Sequence, residues 1–187
     1  MLRGRVSRPT YVAYIAALHR VYTALEAALQ RHRDLPALAP LHWPALWRGP
    51  ALARDLAALA GPGWSGHVAR DMAAEPYVAR LRELDGPQAA LLAAHVYTRY
   101  LGDLAGGQFL RAGAERVAPG ALEFYDFSRL GDAGQAREAL RARLDRLPAE
   151  LGDAIVAESR RAFALSGAVL DALPDLDEAG EPARDVA

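Results

Sequence analysis

One segment near the middle of the chain combines charged side chains with an unusual lack of side-chain bulk. Residues 97–108 read YTRYLGDLAGGQ, and each glycine costs a helix interior about 1 kcal/mol relative to alanine. The three glycines are Gly102, Gly106 and Gly107. Because residues three and four apart are neighbours on a helix surface, we expect His95, Arg99 and Asp103 to border a face that the glycines leave bare. Such a face suits something flat that approaches closely.

The glycine spacing has two interpretations. A Gly-x-x-x-Gly pattern lets a second helix pack within van der Waals distance, and it equally lets a rigid planar ligand reach the backbone. The spacing alone favours helix packing. The charged neighbours Arg99 and Asp103 favour a ligand, because a packing face rarely carries groups that are costly to desolvate. These residues by themselves leave both interpretations open.

Histidines and arginines are the other candidate ligand-binding groups. The chain has five histidines, and no pair has the spacing of a protein metal site, which argues against a multi-histidine centre. Arg137 and Arg141 are one turn apart on a predicted helix and could hold carboxylates or phosphates through forked hydrogen bonds. Spacing alone favours a solvated face instead, with Glu138 and Asp145 as partners.

Composition excludes several classes of function. The 187 residues suffice for one domain, and the net charge of −1 provides no general field that would attract nucleic acid or an acidic membrane. The absence of cysteine excludes disulfides, thiolate metal sites and cysteine nucleophiles. No apolar stretch is long enough to span a membrane, and no apolar leader follows the arginine-rich start. A soluble, cytoplasmic protein is predicted.

Apolar residues at helical spacing predict an all-α fold without strands. The predicted helices cover 9–33, 50–60, 77–84, 88–117, 132–147 and 149–173. The helix over 88–117 is too long to stay straight in a domain of this size, so we expect it to bend at the glycines, 102–107. Residues 1–173 are predicted to form one helical domain. The acidic tail 174–187 has few apolar side chains and is predicted to be disordered.

The sequence resembles a known family at the glycine-rich segment. Residues 94–108, AHVYTRYLGDLAGGQ, closely resemble the signature of the biliverdin-forming haem oxygenases. YTALE at 22–26, GPGW at 61–64 and the spacing of Arg137 and Arg141 support the match. The resemblance covers about residues 3–173. Ala105 departs from it, since many members have serine there.

The resemblance implies a haem-oxygenase-like helical bundle in which haem lies against a glycine-bent distal helix. Asp103 would anchor a water that delivers a proton, and Arg99 and Tyr22 would complete the hydrogen-bond network around that water. The other implied contacts of haem are Gly102, Gly106 and Gly107 against the macrocycle, Tyr97, Arg137 and Arg141 at the propionates, and Phe163 as a wall of the pocket.

The activity that the resemblance implies is oxidative cleavage of haem, which is both cofactor and substrate. The reaction consumes O₂ and yields biliverdin, ferrous iron and carbon monoxide. The chain carries no flavin or nicotinamide motif, so electrons would come from a separate reductase or ferredoxin. Nucleic acid and membrane are not expected partners. A non-catalytic haem-binding or interaction protein on the same scaffold is the alternative, and a purely structural bundle is the third.

The resemblance also implies an iron ligand that this sequence does not provide. The family's proximal helix, with its histidine ligand, would precede the segment that resembles residues 3–8, and the chain begins where that helix should end. His19 lies one turn before Tyr22 and His95 belongs to the distal helix, so we expect both on the distal side and assign no metal ligand. A start site placed too far downstream is favoured over a truncated product or a weakly binding relative, because removing a pocket wall would expose apolar surface.

Overall fold

A computed structural model of the chain describes residues 6–68 and 72–173. Every regular element in these residues is helical, which confirms the all-α prediction. The α-helices are α1 (Arg8–Arg31), α2 (Gly49–Ala60), α3 (Trp64–Val68), α4 (Glu75–Leu84), α5 (Leu92–Val96), α6 (Gly102–Val117), α7 (Ala133–Leu144) and α8 (Gly152–Asp171). The tail 174–187, predicted to be disordered, lies outside the described residues. No helix in the described part is both long and apolar enough to cross a membrane.

Helix α1 runs through the core and packs against α2 and α4. Its start is fixed by Ser7, whose side chain accepts a hydrogen bond from the Thr10 backbone N at 3.2 Å, and by Pro9 in the first turn. The apolar stripe predicted from the sequence is buried: Ile15, Leu18, Tyr22, Leu25 and Leu29. Burial of this stripe turns Tyr22 toward the helices that follow α4.

The long helix predicted over 88–117 is interrupted before its glycines. A π-helical segment, Tyr97–Leu101, joins α5 to α6, so the departure from α geometry falls at 97–101 and not at 102–107 as expected. A π turn places an extra residue in the helical repeat, so residues three or four apart across it do not share a face. The expectation that His95 borders the glycine face is therefore wrong, and its side chain is fully buried.

The connection between α6 and α7 is held on the core by one carboxylate of α2. Asp55, which is 1% exposed, accepts hydrogen bonds from the backbone N atoms of Glu123 at 2.9 Å and Phe124 at 2.8 Å. Burial raises the pKa of Asp55, and the two backbone donors partly offset this effect. The bonds fix the Phe124 ring 5.9 Å from the ring of Tyr22, measured between centroids.

Candidate functional site

Three of the predicted site residues meet in one hydrogen-bonded group. The Tyr22 hydroxyl donates to Asp103 Oδ2 and accepts a hydrogen bond from Arg99 Nε at 3.2 Å. The Arg99 guanidinium carbon also lies 5.1 Å from the centroid of the Tyr22 ring, within reach of a cation–π contact. Since these residues belong to α1, the π-helical segment and α6, tertiary packing brings together groups that are 77 and 81 residues apart in the chain.

The buried environment of this group raises the proton affinity of the Asp103 carboxyl. Burial raises the pKa of Asp103, while the Arg99 charge and the hydrogen bond from Tyr22 oppose that rise. Burial also raises the pKa of Tyr22 well above its ordinary value, so its hydroxyl remains a donor. Burial lowers the pKa of Arg99, but Tyr22 and Asp103 raise it by more, so the guanidinium stays charged. A carboxyl with raised proton affinity therefore sits beside a permanent cation.

The glycines of α6 border open space. A Cβ added to Gly102 or Gly106 would have no described atom within 4 Å, other than the helix itself, and one added to Gly107 would lie 3.9 Å from Phe127 Cε2. Helix packing requires the opposite arrangement, with a neighbouring backbone close to the glycines. No described residue packs against Gly102 or Gly106, which leaves a bare helix face beside Asp103.

Two aromatic rings are exposed on the elements that adjoin this face. Tyr97 is 42% exposed and Phe163 is 57% exposed, and their centroids lie 6.4 Å apart in an edge-to-face arrangement. The π-helical segment carries Tyr97 and α8 carries Phe163. Large apolar side chains grouped at the surface mark binding sites more often than scattered ones do. Phe163, the predicted pocket wall, is thus exposed beside Tyr97, and its contact with a ligand stays a prediction.

The two arginines predicted to bind propionates lie on α7, which packs against the π-helical segment. Arg141 Nη1 is 2.9 Å from Glu138 Oε1, whereas Arg137 Nε is 3.6 Å from that oxygen. Arg137 Nε is buried and has no hydrogen-bond acceptor among the described residues. A buried donor without a partner is costly. Both interpretations of this pair, solvated face and carboxylate clamp, therefore stay predictions.

The histidines whose side chains the structure describes all lie against other groups. His19 contacts Trp64, with ring centroids 4.9 Å apart, and the expectation that it points to the distal side stays a prediction. The hydrogen bonds of the others are His32 Nε2 to Asp85 at 2.9 Å, His42 Nε2 to Gln30 at 3.0 Å, and His95 to Tyr77 and Glu158, both at 3.1 Å. We therefore assign no iron ligand.

His95 joins three helices through a buried polar cluster. Its Nε2 faces Glu158 Oε1 and its Nδ1 faces the Tyr77 hydroxyl. Burial lowers the pKa of His95 to about 4, so the ring is neutral near pH 7. Burial raises the pKa of Glu158, but Arg80, bound through two hydrogen bonds of 2.9 and 2.7 Å, lowers it by more. The ionised Glu158 then requires a proton on Nε2, and Nδ1 accepts from Tyr77.

Sequence reasoning missed Glu26 as part of the site's support. This buried carboxylate accepts hydrogen bonds from the Tyr100 hydroxyl at 3.0 Å and from the Gly49 backbone N at 3.1 Å. It caps the start of α2 and holds Tyr100, whose ring centroid is 5.5 Å from that of Tyr22. A signal was present in the sequence, because Glu26 follows directly after Leu25, a residue of the apolar stripe of α1. Its partners could not be predicted from that position.

Comparison with known proteins identifies the family. A family model described as heme oxygenase matches residues 1–172. The chain belongs to the haem oxygenase family. It is 37% identical to heme oxygenase 2 of the cyanobacterium Synechocystis, over 95% of this chain and 75% of that protein. It is 36% identical to rat heme oxygenase 1, over 88% of this chain and 60% of the rat protein.

Solved haem oxygenase structures share the fold. The crystal structure of Synechocystis heme oxygenase-1 in complex with heme superposes with a TM-score of 0.86 at 32% identity, covering 91% of this chain and 79% of that one. Leptospira interrogans heme oxygenase gives the same TM-score at 33% identity, covering 91% and 86%. The chain spans about 60% of the length of the mammalian relatives it matches. The fold of this haem oxygenase family member is therefore established, whereas its activity is a matter for proposal.

Proposed function

We propose that this chain binds haem against the bare face of α6 and acts in its oxidative cleavage to biliverdin, ferrous iron and carbon monoxide. The observation that carries the proposal is the hydrogen-bonded group of Tyr22, Arg99 and Asp103 beside glycines that face open space. Family membership supports the same reaction. A purely structural bundle would have neither an open glycine face nor a charged group beside it.

The residues present fit a flat apolar ligand that carries carboxylates. Gly102 and Gly106 admit a macrocycle to the helix backbone, and the exposed rings of Tyr97 and Phe163 offer apolar contact. The arginines of α7, Arg137 and Arg141, would bind the propionates, as would the hydroxyl of Tyr97. Haem bound there would supply the redox chemistry with O₂ and would itself be the molecule that is oxidised.

The role of Asp103 in the proposed reaction is to hold and pass on a proton. Its Oδ2 accepts the hydrogen bond of Tyr22, and its Oδ1 makes no hydrogen bond to a described residue. Oδ1 is therefore placed to hold a water over the glycine face, and the raised pKa of the carboxyl favours proton exchange with that water. Arg99 and Tyr22 fix the orientation of the carboxyl, which water alone would leave free to rotate.

The proposed reaction needs O₂ and a source of electrons outside the chain. Because the sequence has no flavin or nicotinamide motif, we propose a reductase or a ferredoxin as the electron donor. A cytoplasmic location is the setting predicted from composition and fits such a donor.

The test compares the wild-type protein with Asp103→Ala and with Asp153→Ala, which removes an exposed carboxylate from the first turn of α8. Haem is titrated by absorbance, and biliverdin is measured with O₂ and a ferredoxin–reductase pair. Imidazole is added in parallel samples, because no described histidine is assigned to the iron. We expect Asp103→Ala to bind haem nearly as tightly as the wild type and to form biliverdin at least about a hundredfold more slowly. Asp153→Ala should match the wild type.

Biliverdin formation by Asp103→Ala at the wild-type rate would show that the carboxyl is not the proton relay. Haem binding without biliverdin in any sample would favour the alternative, a non-catalytic haem-binding protein. Absence of saturable haem binding, with or without imidazole, would refute the proposal as a whole.

A further inference from the structure

A buried arginine that the proposed site does not yet include holds the connection between α6 and α7. Arg48 directly precedes α2 and is 5% exposed. Its Nε donates to the backbone carbonyls of Leu46 at 2.9 Å and Trp47 at 3.0 Å, and its Nη1 donates to that of Asp126 at 2.7 Å. A guanidinium keeps its proton in proteins, so these neutral carbonyls satisfy its donors without removing its charge. What this buried cation does depends on the carboxyls around it.

One aromatic ring connects Arg48 to the helix that carries Asp103. The guanidinium carbon lies 4.2 Å from the centroid of the Phe127 ring, within cation–π distance. Phe127 is 8% exposed, and its Cε2 lies 3.9 Å from the position that a Cβ on Gly107 would take. Asp103 and Gly107 are four residues apart on α6, so they are neighbours on its surface. The Phe127 ring therefore packs against both Arg48 and the stripe of α6 to which Asp103 belongs.

The described groups that act electrostatically on Asp103 are arginines and tyrosines. Burial raises the pKa of each of these tyrosines, so their hydroxyls are neutral near pH 7. They are Tyr14 and Tyr22 of α1, Tyr77 of α4, Tyr100 of the π-helical segment and Tyr125 of the connection after α6. The charges come from Arg99 and Arg48, and both lower the pKa of Asp103 against the larger effect of burial. Of these two cations, Arg48 lies outside the hydrogen-bonded group of Tyr22, Arg99 and Asp103.

Arg48 has a second acidic neighbour in Glu26. Glu26 Oε1 accepts hydrogen bonds from the backbone N of Arg48 at 2.5 Å and from the Tyr100 hydroxyl at 3.0 Å. Burial raises the pKa of Glu26, while its hydrogen bonds and the charge of Arg48 oppose that rise. The cations Arg48 and Arg99 thus accompany two buried carboxyls, Glu26 and Asp103. Removal of the Arg48 charge would leave both carboxyls with Arg99 alone.

We propose that Arg48 is a positioning residue for the proposed reaction, which seats Phe127 against Gly107 and whose buried charge favours the ionised form of Asp103. This inference rests on the proposed function, in which the Asp103 carboxyl exchanges a proton with a bound water. Burial favours the protonated carboxyl, which cannot accept a further proton. A second cation close to α6 lets Asp103 both release its proton and regain it.

Carbon-13 NMR of the haem-free protein, labelled at its aspartate carboxyls, tests this role. The Asp103 signal is the one that Asp103→Asn removes, and its titration midpoint is compared among variants. Arg48→Met keeps most of the apolar stem and loses the charge, so it should move the midpoint to higher pH by about half a pH unit or more. Arg48→Lys restores the charge and should return the midpoint close to that of the wild type.

Asp55→Asn is the control for loosened packing. Asp55 holds the same connection through the backbone N atoms of Glu123 and Phe124. The variant should lower the free energy of unfolding and leave the Asp103 midpoint unchanged. Biliverdin formation gives a second readout, because the limb of its pH profile that Asp103 controls should move to higher pH in Arg48→Met and not in Asp55→Asn. This direction holds whichever protonation state the reaction needs, since loss of a cation favours the protonated carboxyl.

Three results would overturn the role of Arg48: an unchanged midpoint in Arg48→Met, a shift that Arg48→Lys does not reverse, or an equal shift in Asp55→Asn. Where Arg48→Met lacks the wild-type helical circular dichroism, Arg48→Gln takes its place. Failure of both variants to fold would show that the guanidinium serves the fold, and would overturn the proposal as well. The NMR titration needs no haem, so an inactive protein leaves it intact, and an unchanged midpoint leaves the Asp103→Ala test intact.

Discussion

At the scale of single residues, the candidate site combines a buried carboxyl with a cation. Burial opposes the ionisation of Asp103, and the charge of Arg99 favours that ionisation. Asp103 receives a hydrogen bond from Tyr22, which in turn receives one from Arg99. The raised pKa values of Tyr22 and Arg99 keep both of these donors protonated near pH 7. The group can therefore orient the Asp103 carboxyl without taking its proton, which is the property that a proton relay needs.

Removal of the Tyr22 hydroxyl should show what the orientation of the Asp103 carboxyl contributes, apart from the presence of the carboxyl itself. Tyr22→Phe keeps the ring and its packing but deletes the donor to Asp103 and the acceptor of Arg99. We expect biliverdin formation to slow by about tenfold, less than in Asp103→Ala, and the free energy of unfolding to fall by about 1 kcal/mol. The measurements are turnover with a ferredoxin donor and chemical denaturation.

Tyr11→Phe is the matched control for this variant. Tyr11 is also a buried tyrosine of α1, and its hydroxyl is not part of the hydrogen-bonded group of Tyr22, Arg99 and Asp103. Its removal should leave turnover unchanged. Equal losses of turnover in the two variants would mean that bulk packing of α1, and not the hydroxyl of Tyr22, supports the reaction.

At the scale of helices, the glycines of α6 lower its local stability and leave part of its surface without side chains. The π-helical segment Tyr97–Leu101 rotates α6 relative to α5, and the glycines that follow leave the exposed face of α6 bare. Gly49 shows the opposite use of glycine, because a Cβ there would lie 2.7 Å from Glu26 Oε2. The same residue type thus serves an open face in α6 and a close contact in α2.

A methyl group on the open face should stabilise the fold and impair the site. Gly106→Ala adds a side chain where no described atom is near, so we expect unfolding to cost about 0.5 to 1 kcal/mol more. Haem affinity should fall about tenfold or more, since each 1.4 kcal/mol of lost contact is a factor of ten. Denaturation and haem titration measure the two effects.

Gly113→Ala provides the comparison within the same helix. A Cβ at Gly113 meets only the flexible end of Arg116, at 4.0 Å. The gain in stability should be similar to that of Gly106→Ala, without a change in haem affinity. If both variants bind haem as the wild type does, the bare face of α6 is not the binding surface.

At the scale of the whole molecule, a buried polar cluster ties the site-bearing helices to the rest of the bundle. His95 of α5 is hydrogen bonded to Tyr77 of α4 and to Glu158 of α8, and Glu158 also accepts two hydrogen bonds from Arg80 of α4. Arg99 extends this link to α8 through Ser166, with Nη1 3.4 Å from Oγ. The position of α8, which carries Phe163, therefore depends on contacts that lie outside the proposed site.

This cluster predicts acid sensitivity of the fold. The pKa of His95 is about 4 in the folded protein and 6.5 in a free side chain, so the unfolded chain binds the proton first as the pH falls. Stability that is complete above pH 6.5 is then lost progressively toward pH 4. Between pH 6.5 and 5, protonation of His95 in the unfolded chain should lower the free energy of unfolding by about 2 kcal/mol, at about 1.4 kcal/mol per pH unit.

Denaturation at several pH values measures this effect. In His95→Gln the decline in the free energy of unfolding between pH 6.5 and 5 should be smaller by about 2 kcal/mol, whatever the variant's stability at pH 7. His42→Gln, which removes a half-buried histidine bonded to Gln30, should retain the wild-type slope. A parallel decline in the wild type and His95→Gln would rule out His95 as the source of the acid sensitivity.

Much of this protein follows from local sequence patterns. Helical periodicity predicted the all-α class, the buried stripe of α1 and the approximate helix bounds, because an amphipathic helix records its buried face in the spacing of its own residues. The segments 94–108 and 22–26 also indicated the family. The resemblance implied Tyr22, Arg99 and Asp103 as site residues, and their roles stay predictions.

Other features were decided by tertiary structure alone. The sequence left both helix packing and a ligand possible at the glycines, and the fold shows that no described residue packs against Gly102 or Gly106. The π-helical segment turned His95 into the core, and the placement of His19 against Trp64 became known only from the fold. Glu26 likewise acquired its role from partners that lie 22 to 74 residues away. A residue's type and its local spacing limit what it can do, whereas its burial and partners are set by the packing of distant segments.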